Sequence, residues 1–106
     1  MRKDTELTQA ILYQISKHLS SRKSCKEIEY VVEMQNSESG PRINMFPYVR
    51  VFPDTYHRKQ IYEDSVVTHV LKYHVHIDVR NTIVPGTYIY KMSTTRKIRR
   101  WEKLPG

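Results

Sequence analysis

The chain has 106 residues and a formal net charge of +7, with 18 Lys and Arg against 11 Asp and Glu. This length bounds it to one small domain with a single core, and a lone cysteine excludes both an intramolecular disulfide and a zinc cage of several thiolates. One Ala against eight Tyr, with frequent Val, Ile and Thr, argues for a sheet over an Ala-rich helical bundle.

Leu7, Ala10, Ile11, Leu12, Ile15 and Leu19 recur at three-to-four residue intervals, which predicts an amphipathic helix over about 5–20. Asp4 or Thr5 offers a side-chain oxygen to cap its first turn. The opening Met1-Arg2-Lys3-Asp4-Thr5-Glu6 lacks an apolar stretch of signal-peptide length, and no apolar run approaches the ~20 residues that span a bilayer. An intracellular location, cytoplasmic or nuclear, is therefore expected.

Ile28, Tyr30, Val32 and Met34 alternate with Glu27, Glu29, Val31, Glu33 and Gln35, the pattern of a half-buried strand over 27–35 with a largely acidic outer face. Asn36 to Pro41 is a turn. A second strand is predicted over 43–52, with Pro47 requiring an edge or a bulge because it donates no ladder hydrogen bond. Residues 53–64 read as a loop. A long strand is predicted over about 66–80 from the unbroken alternation of Leu71, Tyr73, Val75, Ile77 and Val79 with Lys72, His74, His76, Asp78 and Arg80. Pro85-Gly86 marks a turn, and Thr87 to Ser93 forms a last strand. Connections without long helices favour antiparallel pairing. The expected architecture is α+β: one N-terminal helix packed on an antiparallel sheet of about four strands, residues 1–106 forming one domain with a basic C-terminal arm at about 94–106.

Several groups carry candidate chemistry. On a strand, His74 and His76 point the same way and offer two ligands to a metal ion, which needs a third from elsewhere; Asp78, His57 and the acids near Glu63 are available donors, whereas His69 falls on the apolar parity and joins only through a bulge. His74-Val75-His76 also resembles the metal-binding His-hydrophobic-His signature of rolling-circle replication endonucleases and related single-strand transposases, and Tyr88-Ile89-Tyr90-Lys91 contains their Tyr-x-x-Lys arrangement. The resemblance, confined to residues 74–91, implies a metal that polarises a phosphate for attack by Tyr88. In that family the tyrosine lies on a helix after a longer interval, whereas here it follows closely in a predicted strand. Cys25, beside Arg22, Lys23 and Lys26, is an ordinary thiol with no histidine assigned to it.

Five of the eight residues from Arg96 to Lys103 are cationic, and Trp101 lies among them. Arg96, Lys97, Arg99 and Arg100, supported by Arg80 and Lys91, are the candidates to neutralise phosphates, and Trp101 is the candidate to stack on a base. Tyr48, Tyr56, Tyr62, Tyr73, Tyr88 and Tyr90 lie among further cations, an arrangement able to stack single-stranded bases, although half-buried strand positions also favour Tyr. The composition thus points to a small basic non-enzymatic binding protein, without cofactor, whose partner is a nucleic acid (RNA first) or another polyanion. The alternative is a protein-interaction or assembly module, a homo-oligomer included, such as a small viral accessory or matrix-like protein.

Overall fold

Ile11, Leu12, Ile15 and Leu19 fall on one side of a helix, α1 (Arg2–Ser20), and all four are buried against a sheet. The structure, a computed structural model, describes residues 2–21, 27–51, 55–58, 71 and 74–105, with only the backbone given at 2, 46–51 and 55–58. The sheet comprises β1 (Glu27–Ser37), β2 (Gly40–Val51), β3 (Thr55–Arg58), β4 (Gly86–Ser93) and β5 (Ile98–Lys103). Its order is β3-β2-β1-β4-β5, and every neighbouring pair is antiparallel. The α+β architecture is therefore as the residue pattern predicts. The sheet gains two strands where none was expected: β3 within the predicted loop 53–64, and β5 within the predicted arm.

The alternation in β1 decides which face meets the helix. Ile28, Val32 and Met34 enter the main core with Met45 of β2 and Tyr88, Tyr90 and Met92 of β4. Each large apolar side chain removed from water contributes roughly 1.5–3 kcal/mol before conformational entropy is subtracted. On the opposite face Val31 and Ile89, paired across β1 and β4, are buried beside Leu104. The Leu104 N–H donates to Thr87 O at 2.9 Å, extending the pairing of β5 with β4 by one residue.

Pro47 is the last β2 residue paired with β1, opposite Tyr30, and pairing with β3 begins at Tyr48. The missing N–H therefore falls where one ladder ends and the other starts. The turn between β1 and β2 is shorter than predicted, with only Glu38 and Ser39 between the paired Ser37 and Gly40. Gly40 has φ of 101°, and a Cβ there would lie 3.1 Å from both Asp78 O and Val79 Cα. Glycine is needed on two counts, backbone conformation and close approach.

The strand predicted over 66–80 does not form among its described residues. Leu71 and His74 are helical, and the Val75 N–H donates to Leu71 O at 2.8 Å, one α-turn. Residues 76–85 carry no strand. Leu71 and Val75 are buried, whereas Val79 is 63% exposed, which a core-facing strand position would not be. Side chains four apart share a face in both a strand and a helix, so the Leu71–Val75 pair satisfied either reading. The Asp78 carboxylate then accepts from the Arg80 and Asn81 N–H groups at 2.8 and 3.2 Å, a local turn that competes with any ladder.

Side chains fasten this connector to the domain. Asn36 binds both backbone groups of Ile83, accepting from its N–H at 2.9 Å and donating to its carbonyl at 3.0 Å. Buried Thr8 accepts from the Val84 N–H at 2.8 Å and donates to Asp4 O at 2.6 Å. Because α1 begins at Arg2, Asp4 lies within the first turn and not at the cap, and its carboxylate accepts from the Thr82 hydroxyl at 2.6 Å.

Candidate nucleic-acid interface

The segment predicted as a basic arm is half of a hairpin. β4 and β5 pair from Tyr88↔Lys103 to Ser93↔Ile98, joined by a turn at 94–97. The Arg96 N–H donates to Ser93 Oγ at 3.1 Å within that turn, and Lys97 closes it at a positive φ of 55°. From sequence, apolar Ile98 and Trp101 stand three apart, so no alternation announced a strand; pairing with β4 supplies it. Trp101 lies against Tyr90 with ring centroids 4.9 Å apart and joins the helix-side core.

Strand parity then sorts the hairpin cations onto two faces. Arg99 and Lys103 share the helix side with Trp101 and flank it, opposite Met92 and Tyr88 of β4. Lys103 Nζ lies 5.8 Å from the Tyr88 ring centre, within cation–π range. Lys91 and Arg100 occupy the other face, directly opposite each other. There Glu102 takes both: its carboxylate oxygens lie 3.2 Å from Lys91 Nζ and 3.0 Å from Arg100 Nη2. Arg96 is held at 3.2 Å by Glu27. Glu27, Glu29, Lys91, Ser93, Arg96 and Arg100 line a shallow cleft of about 320 Å³ on this side, acids interleaved with bases.

The predicted phosphate contacts therefore divide. Lys91, Arg96 and Arg100 are matched by carboxylates, and the Lys91 side chain is only 16% exposed. Lys97 and Arg99 are exposed and have no carboxylate within ion-pair distance among the described residues. Lys103, not singled out from sequence, joins them; its signal was the Arg99-x-Trp101-x-Lys103 interval, informative only once a strand is known. Arg80 belongs elsewhere. It pairs with Asp78 at 3.2 Å, and Asp78 contacts the Gly40 turn at the end of β1 remote from Glu27 and Arg96. Eleven-residue β1 separates the two ends by on the order of 30 Å.

The histidine constellation loses its geometric basis. His74 closes a helical turn, His76 lies in irregular chain with its side chain 88% exposed, and no strand aligns them. His76 Nε2 is 3.5 Å from Asp78 Oδ2, and among the described residues no group of three His, Cys, Asp or Glu converges. His69, Glu63 and Cys25, like the His57 side chain, lie outside the described residues. Tyr88 is buried and donates its hydroxyl to Val84 O at 2.9 Å, and burial raises its pKa above the ordinary 10.0. Both features hold the phenol protonated, the reverse of an activated nucleophile.

An aromatic stacking platform is likewise not presented by β4, since Tyr88 and Tyr90 are buried. The side chains of Tyr48 and Tyr56, and all of Tyr62 and Tyr73, lie outside the described residues. Among the described residues no helix is long and apolar enough to cross a membrane. Comparison with family models, curated proteins and solved structures finds no match.

Proposed function

We propose that the protein is a small nucleic-acid-binding domain, RNA being the first choice of ligand, that binds through the β4–β5 hairpin. The observation that supports this reading is where the charge sits. Lys91 to Lys103 holds six basic residues and one acid, a net of +5 against +7 for the whole chain, and pairing folds that segment into one two-stranded ribbon at a sheet edge. Concentrated positive charge releases counterions from a phosphate backbone, the principal source of non-specific nucleic-acid affinity.

A labelled RNA oligonucleotide titrated across salt concentrations tests the reading. Affinity is expected to fall linearly on a log–log plot against salt and to be lost when the six hairpin cations are replaced. Binding that ignores salt, or no binding at low salt, defeats it.

The assembly reading draws on a second observation: β5 ends the strand order, so its outer backbone edge has no strand partner among the described residues. Arg99, Arg100 and Lys103 project from both faces of that edge and repel a second copy aligned on it. This ranks assembly below polyanion binding. A stable dimer by sedimentation in the absence of nucleic acid reverses the order.

A further inference from the structure

We infer that the ligand is a single strand lying along the helix-side flank of β5, with its phosphates held by Lys97, Arg99 and Lys103 and the exposed part of Trp101 between them. This rests on the nucleic-acid reading above and specifies which face of the hairpin serves it. Glu102 and Glu27 decide the face. On the outer side every hairpin cation is matched: Lys91 and Arg100 by Glu102, Arg96 by Glu27, with Glu29 directly opposite Lys91 in the ladder. A phosphate arriving there must displace a carboxylate and then sit beside it. On the helix side Arg99 and Lys103 have no carboxylate within ion-pair distance among the described residues, and the same holds for Lys97 at the turn.

Geometry favours a single strand over a duplex. Arg99, Trp101 and Lys103 follow one another at about 6.6 Å along the strand, an interval comparable with the backbone repeat of an extended single strand. Trp101 is half-buried on Tyr90 and lies between the two cations along the strand. A duplex admitting the whole ribbon into its major groove meets both faces, and on one of them it meets Glu27, Glu29 and Glu102.

Three contacts on a single strand give a slope of log affinity against log salt of about −2, whereas engagement of all six cations gives about −4. Glu102 has a role in this: with Glu27 and Glu29 it balances Lys91, Arg96 and Arg100 and keeps the outer face silent.

The experiment is a fluorescence-anisotropy titration of a labelled ten-nucleotide oligouridylate, and of a duplex of the same length, across salt concentrations. The proteins are wild type, Lys97→Asn (which keeps a residue tolerant of positive φ), Arg99→Gln, Lys103→Gln, Arg96→Gln, Arg100→Gln and Glu102→Gln. Trp101 emission and circular dichroism check that each is folded. The single strand is expected to bind more tightly than the duplex with a slope near −2. Each of the Lys97, Arg99 and Lys103 changes is expected to lower the slope by about 0.7, and the Arg96 and Arg100 changes to leave it in place. Glu102→Gln is expected to tighten binding and steepen the slope by exposing two cations. Equal losses from Arg96→Gln and Arg99→Gln, or preference for the duplex, overturn the inference and leave the nucleic-acid reading standing. Absence of salt-dependent binding to either oligonucleotide overturns both.

Discussion

The Trp101 indole rests on the Tyr90 ring, centroids 4.9 Å apart and planes inclined by 44°, and the Tyr90 hydroxyl is in turn hydrogen-bonded to Ser20 Oγ at 2.8 Å. The contact joins the edge strand β5 to the core, and the hydroxyl bond carries the connection to the last turn of α1. Trp101 Nε1 is buried with no hydrogen-bond partner among the described residues. Ring and N–H therefore act in opposite directions: the ring contributes packing, while the orphan donor costs stability.

Two substitutions separate these effects. Trp101→Ala removes the packing and is expected to destabilise the domain by about 2–4 kcal/mol, toward the lower part of the range for large-to-small aromatic changes because the residue is only half-buried. Trp101→Phe keeps a ring and deletes the orphan donor, and is expected to cost less than ~1 kcal/mol. Urea denaturation followed by circular dichroism measures both; equal losses would mean that the indole N–H is satisfied in solution.

Gly40→Ala is expected to destabilise by roughly 1–3 kcal/mol. A φ of 101° is unfavourable for any L side chain, and the new methyl would lie 3.1 Å from backbone atoms of Asp78 and Val79, which cannot rotate aside. The measurement is the thermal midpoint. Protection of the Asn81 N–H, bonded to the Asp78 carbonyl and carboxylate, should fall with it in hydrogen exchange.

Thr8→Val keeps the shape of a side chain that is 2% exposed but leaves the Val84 N–H without its acceptor. The expected cost is about 1–3 kcal/mol, the penalty for an unsatisfied buried donor. Thr8→Ser retains the oxygen and should recover most of that loss by the same denaturation measurement.

Stability should respond to acid through Asp4 and Asp78. The hydrogen bond from the Thr82 hydroxyl holds the Asp4 pKa below its ordinary 3.8. For Asp78 the Arg80 backbone N–H is the largest cause and the Arg80 guanidinium the next. Groups with depressed pKa values bind fewer protons folded than unfolded. Their contribution is complete above the unfolded value near 3.8 and is lost as pH falls through the lower folded values. Asp4→Asn and Asp78→Asn should each flatten the acid limb of the stability curve below pH ~4 and leave its neutral region level.

The sequence by itself determined the helix, its buried stripe at Ile11, Leu12, Ile15 and Leu19, and the helix-facing parity of β1 at Ile28, Val32 and Met34. These patterns are local, and in the fold each meets the surface its period calls for: the stripe of α1 meets the sheet, and β1 pairs with β2 and β4. The run from Leu71 to Arg80 was ambiguous because Leu71 and Val75 suit two periods, and a period becomes a strand only where a neighbouring backbone accepts its hydrogen bonds. β5 presents the converse: Ile98 to Lys103 lacks alternating apolar residues, yet β4 pairs with it and Tyr90 receives Trp101. The same division holds for the candidate site. Its cations are plain in the composition, but which of them meets a carboxylate depends on cross-strand register, which places Glu102 beside Lys91 and Arg100 and leaves Lys97, Arg99 and Lys103 facing solvent. That register is fixed by the turn at 94–97 and by the fit of Trp101 on Tyr90, not by an apolar alternation in 98–103, so it becomes visible only in the folded hairpin.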